Sequence, residues 1–182
     1  MSIALLASPA LADDPKPDVT IKTKAIEANV FLDARIKADP AMAAESLADG
    51  KKWLDRNAAE AAKEMKQDPQ FFKDGRSVER EYAVRSIIAD RDVSIVRDDY
   101  MDTHRAHPNT DVNTILWDKT ENKPISIRPF FTETSDNGPT MTAMHKAIIV
   151  SLKAEKKTRD SSETATAEWF KGVEPKLLNI VR

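Results

Sequence analysis

Cysteine is absent from the 182 residues, which excludes disulfides, thiolate nucleophiles and cysteine-ligated zinc. Glycine is scarce, at four positions, and none builds a phosphate-cradling G-x-G-x-x-G or G-x-x-x-x-G-K loop. Long apolar runs are missing, and no segment approaches the ~18 consecutive apolar residues of a membrane-spanning helix. An excess of one charge is missing too. Lys and Arg number 28 against 30 Asp and Glu, interspersed, for a net charge of −2. That leaves no basic footprint for nucleic acid. A chain without cysteine suits either the cytoplasm or an oxidising compartment, so localisation has to be read elsewhere.

The hydrophobic fraction of 41% and charged fraction of 32% suit one domain, or two small sub-domains sharing a core. At the N-terminus an apolar run, Ile3 to Leu6, leads to Ala10-Leu11-Ala12 and then an acidic, proline-rich stretch. Ala-Leu-Ala before Asp13 fits the A-x-A cleavage site of a secretory signal. The run is short and no Lys or Arg precedes it, as expected if the true start lies upstream. The expectation is an exported chain, periplasmic or secreted, with 1–12 a signal remnant and 13–17 a linker.

From Asp18 the pattern has period two. Val19, Ile21 and Thr23 alternate with polar neighbours, and so do Val30, Leu32, Ala34 and Ile36. Two strands joined near residues 25–29 predict an antiparallel hairpin. Asp39-Pro40 is a strong helix start, with Asp as N-cap and Pro at the first turn. A helix over 40–67 follows, with Leu47, Leu54, Ala58, Ala61 and Met65 as its apolar stripe and Gly50 as a weak spot that could split it. Residues 69–79 read as a loop with Phe71 and Phe72 tucked onto the core. Residues 80–97 read as strand with a turn near 89–92, and 111–118 with 124–128 as a second hairpin. Asn137-Gly138-Pro139 opens a helix whose stripe is Met141, Met144, Ile148 and Leu152, followed by an exposed polar segment 153–163. A last amphipathic segment carries Phe170, Val173, Leu177 and Val181. Strands in pairs with helices inserted between the pairs predict an α+β fold: an antiparallel sheet built from hairpins, with about three helices on one face.

A strand ending in VSIVRDDYMDT, a turn AHPNT, the strand NTILWD, a polar turn, ISIRPFF and a helix after Gly-Pro resemble the DUF3298/DUF4163 family. Its members are bacterial envelope domains, found also in RsiV-type anti-sigma factors and in some peptidoglycan deacetylases. Tyr100, Ala106, His107, Asn109, Asp118, Ile125, Ile127 and Phe130 stand where the family pattern has matching residues. Residues 18–97 resemble the DUF4163 part and 98–182 the DUF3298 part, around one shared core. The family's two turn glycines are replaced by His104 and Arg105. Its closing strand pair, with a Tyr-x-x-Gly stretch, is not found before Arg182; either the sequence is a C-terminally truncated fragment or the last strands are missing, and a missing strand would leave an exposed sheet edge. The resemblance implies an exported, non-enzymatic binding domain without a cofactor, with lysozyme or a peptidoglycan component as partner. Tyr100, Asp102, His104, Arg105, His107 and Asn109 are its candidate binding residues. The oligomeric state is left open.

The rival reading is a cell-wall hydrolase or metal-dependent enzyme. His104-x-x-His107 with Asp102 and Asp111 could supply ligands, and His145 a third imidazole, but zinc needs three or four that converge. The helical H-E-x-x-H framework is missing, and His145 lies on an apolar stripe where a hydrogen-bonded core histidine is expected. His107-Pro108-Asn109-Thr110 reads as a turn that His107 braces. Asp98, Asp99 and Asp102 could form a glycosidase pair only if two carboxyls face one cleft. No serine lies in G-x-S-x-G or S-x-x-K. Trp53, Trp117 and Trp169 are expected to be core anchors.

Overall fold

The period-two segments make the sheet, and one long helix closes one side of it. The computed structural model describes residues 16–70, 72, 75–103, 107–135 and 138–159. They divide into two units, one ending at Ile125 and the other beginning at Ser126. The signal and Ala12, His104, Arg105, Ala106, Phe71, Asn137, Trp169 and the segment from Phe170 to Val181 lie outside the described residues.

In the first unit β1, Val19–Lys22, turns through residues 23–25 into β2, Ile26–Leu32, with Val19 opposite Val30. The hairpin is as expected, but β2 starts earlier and stops at Leu32. Residues 34–37, expected as strand, are instead a short helix, α1, Ala34–Lys37. The cause is local: the Asp33 carboxylate accepts the Arg35 N–H at 2.7 Å and caps the turn. One such bond at the chain's reversal outweighs a continued alternation that Ile36 satisfies equally well as a buried helical residue.

Asp39 then caps α2, Pro40–Gln67, accepting the N–H groups of Ala41 and Met42 at 3.1 and 3.0 Å. α2 is unbroken at Gly50. A Cβ there would stand 3.0 Å from both Val30 methyls, so glycine lets the helix lie directly on β2. Met42, Trp53, Leu54 and Ala61 are buried, with Leu47, Ala58 and Met65 packed beside them.

β3, Arg76–Ile88, returns parallel to β2, with Val30 opposite Arg80. The pair β2–β3, bridged by α1 and α2, is a single βαβ unit inside a sheet otherwise made of antiparallel neighbours. β3 and β4, Asp92–Asp102, form a hairpin whose turn residues Ala89 and Asp90 have φ of 51° and 52°. Arg91 donates its N–H to Ile88 C=O at 3.0 Å, closing the tight turn. β5, Asn109–Asp118, and β6, Lys123–Ile125, complete a six-stranded sheet in sequence order. β6 is shorter than the expected 124–128 arm because residues 128–130 coil into a 3₁₀ turn.

The second unit holds that turn and α3, Pro139–Arg159. The Glu133 carboxylate accepts the Ser135 and Thr140 N–H groups at 2.7 and 3.2 Å, capping the helix start. α3 continues past Leu152 because Ala, Glu and Lys there are good helix formers, so residues 153–159 are helical although Lys153, Ala154, Glu155, Lys157 and Thr158 are exposed. The fold class is α+β: the described residues form a six-stranded, mostly antiparallel sheet and three helices.

Candidate functional site

The two faces of β3 and β4 have opposite fates, and strand alternation decides which residue meets which. Arg76, Val78, Arg80, Tyr82 and Val84 are buried on the α2 side of β3. Across the register Arg80 stands opposite Asp99 and Tyr82 opposite Arg97. The Arg80 guanidinium, 3% exposed, donates to both Asp99 oxygens at 2.6 and 2.7 Å and to Asp49 Oδ2 on α2 at 2.9 Å. It also lies over the Trp53 ring at 4.5 Å. The Tyr82 hydroxyl donates to the same Asp49 oxygen at 2.5 Å. Burial, reinforced by that bond, pushes the Tyr82 phenol well above its ordinary value. Arg97 adds a longer contact to Asp49 at 3.4 Å. This network ties α2 to the sheet: Asp99 is committed to a buried, bidentate ion pair and cannot serve as a free carboxylate.

The opposite face of the sheet carries the other set: Phe31 on β2, Glu79 and Glu81 on β3, Asp98 and Tyr100 on β4. These five line a hollow of about 330 Å³, together with Lys16, Asp18, Leu32, Asp33 and Lys37. Asp18 and Asp33 are neutralised by Lys37 and Arg35, each at 2.8 Å. The remaining three carboxylates are different. Glu81 stands directly opposite Asp98 across the two strands, and Glu79 stands beside them opposite Tyr100. No described cation pairs with any of the three. Like charges directly opposite on a sheet are destabilising by a few tenths of a kcal/mol up to ~1. The hollow is therefore an anionic surface flanked by two aromatic rings.

The expected site residues are divided by this geometry. Tyr100 is half-buried on the hollow's wall, and Asp102 follows it on the same face, opposite Ser77. Asn109 begins β5 opposite Met101, exposed. His107 is exposed, and its Nδ1 lies 3.1 Å from the carbonyl oxygen of the adjoining Pro108. Asp98 and Asp99 point to opposite faces, so they do not form a carboxylate pair on one cleft. Among the described residues no three His, Asp or Glu side chains converge in a metal-binding group. His145 is half-buried on α3, with Nε2 enclosed but lacking a hydrogen-bond partner among the described residues, unlike the satisfied histidine expected. Trp53 and Trp117 are buried, at 6% and 2% exposure, as core anchors.

Phe31, Glu79 and Glu81 were not singled out by the sequence. The alternation Arg80, Tyr82 against Glu79, Glu81 was available, but it marks only that the glutamates leave the core.

No family model matches the chain. No curated protein matches it either. Among solved structures, a DUF3298 family protein from Pseudomonas aeruginosa PAO1 is similar over 84% of this chain and 72% of its own, at 17% identity and a TM-score of 0.42.

Among the described residues no helix is long and apolar enough to cross a membrane.

Proposed function

We propose that the chain is an exported, non-enzymatic envelope domain of the DUF3298/DUF4163 kind that binds a cationic protein of the lysozyme class on the face of its sheet opposite α2. The resemblance of residues 93–131 to that family supplies the partner class. The single observation that carries the surface is the Glu81–Asp98 pair, with Glu79 beside it, held unneutralised between Phe31 and Tyr100. Folding gains nothing from two carboxylates facing each other. A basic partner does: its lysines and arginines would neutralise all three, and its apolar surface would cover the two rings. Screening by salt is then a built-in signature, because the groups are solvent-facing.

Titration calorimetry of the whole chain with lysozyme tests the reading. Binding that weakens steeply as salt rises is the expected result. No heat at high micromolar protein in low salt, together with unchanged lysozyme activity, would overturn it. Co-sedimentation with purified peptidoglycan in place of lysozyme would move the partner to the cell wall.

A further inference from the structure

Residues 109–118 of β5 all pair with β4 on their inner side. On the outer side β6 covers Leu116, Trp117 and Asp118 alone. Residues 109–115 thus present outward backbone groups for which no described residue provides a strand partner. The sheet's other edges are defended. β1 is four residues long and ends at Lys22, and β6 is three residues with Lys123 and Pro124. Short length, lysine and proline are the devices that keep sheet edges from pairing. The stretch 109–115, Asn-Thr-Asp-Val-Asn-Thr-Ile, has no lysine, proline or glycine, and Asp111 is its one charge. Residues 109–114 are exposed, and Val112 at its centre is 64% exposed.

We propose that this edge is the interface of a two-fold dimer, with residues 109–115 of two copies pairing antiparallel about a dyad at Val112. The register follows from the stretch itself. With the dyad at Val112, all of 109–115 is used, and two copies of Val112 face each other. Asp111 then meets the partner's Asn113, whose amide can donate to the carboxylate. Thr110 meets the partner's Thr114, a favoured pairing of β-branched residues. Moving the dyad to Asp111 would set two carboxylates face to face and draw Pro108, which has no N–H, into the ladder. Moving it to Asn113 would strand residues 109 and 110 without partners, because β6 already occupies the other end. Only the Val112 register fills the free edge without a like-charge contact. The two sheets would become one continuous sheet, with both α2 helices on the same side.

The proposal stands apart from lysozyme binding and is tested without any ligand. Sedimentation velocity of the whole chain should show a concentration-dependent dimer. Val112→Lys places two ammonium groups at the dyad and should weaken that dimer by at least about tenfold. Val112→Glu should do the same, and mixing the two variants should restore a one-to-one dimer. The side chain is exposed and stands opposite Asp98 on β4, so at concentrations where the wild type is monomeric Val112→Lys should unfold at or slightly above its midpoint and Val112→Glu slightly below; loss of the dimer in both variants despite these opposite shifts separates the effect from misfolding. Val112→Cys introduces the sole thiol of the chain and should give a disulfide-linked dimer on mild oxidation. A chain that stays monomeric at high micromolar protein, or a dimer indifferent to Val112→Lys, overturns the proposal.

Discussion

Replacing Arg80 by Met keeps an unbranched side chain and deletes the guanidinium that Asp99 and Asp49 share and that lies over Trp53. Arg80 is 3% exposed and Asp99 13%, so the Asp99 carboxylate would keep only Arg97, at 3.5 Å, in place of two bonds under 2.8 Å. A buried charge stripped of its partner typically costs about 3–5 kcal/mol, against ~0.2–1 for a surface pair. Asp49 is 44% exposed and can recover hydration, which places the expected loss at the lower end, about 3 kcal/mol. Asp99→Asn keeps one acceptor for Arg80 and should cost about 2 kcal/mol. The double change Arg80→Met with Asp99→Leu removes both charges, and should regain most of the loss as a coupling of at least about 2 kcal/mol. Urea unfolding measures all of these, with an unchanged denaturant slope showing that the compared states are the same. Single losses below about 1 kcal/mol that simply add would refute the reading of this network as the joint between α2 and the sheet.

Two further tests address local features. The hydrogen bonds from Arg35, above all those of its side chain, hold the Asp33 carboxyl at about 2 against the ordinary 3.8. The folded value is depressed, so the stability it lends is full above about pH 4 and is lost as pH falls towards 2; with Arg35 largely in solvent this is about 1 kcal/mol, seen as a gap between wild type and Asp33→Asn in urea melts that closes in acid. At the β3–β4 turn Ala89 holds a φ of 51°, where a Cβ is strained, so Ala89→Gly should raise stability by about 0.5–1 kcal/mol in the same melts, and a loss instead would show that the turn is not of the left-handed type.

Much of the framework is legible in the chain because it rests on short-range chemistry. Asp39-Pro40 starts α2 where the N-cap rule puts it, and the hairpins stand where alternation is bounded by polar turns. The failures have physical causes. Residues 34–37 continue a strand-like alternation, and only the reversal capped by Asp33 makes them helical. Gly50 looked like a break because a sequence shows its poor helix propensity but not Val30 beneath it. The burial of Arg80 was illegible for a stronger reason: arginine in an alternating strand reads as solvated until the register brings Asp99 opposite and α2 brings Asp49 above. The same limit applies to the site. Tyr100 and Asp102 are among the expected residues and lie on the face opposite α2, whereas Phe31, Glu79 and Glu81 carry no site signal in the sequence. Alternation tells which residues leave the core on one side, but only the placement of α2 tells which face of the sheet that helix covers.

On the proposed function, the carboxylates facing each other on the face opposite α2 are kept for a partner and cost the fold stability. Glu81→Lys tests both halves at once. Opposite Asp98 the lysine turns a repulsive cross-strand pair into an attractive one, and the unfolding free energy should rise by about 0.5–1 kcal/mol. The same change reverses a charge on the proposed docking surface, and affinity for lysozyme in low salt should fall about tenfold or more. A more stable variant that binds less is the predicted result; a Glu81→Lys protein that binds lysozyme as tightly as the wild type would contradict it.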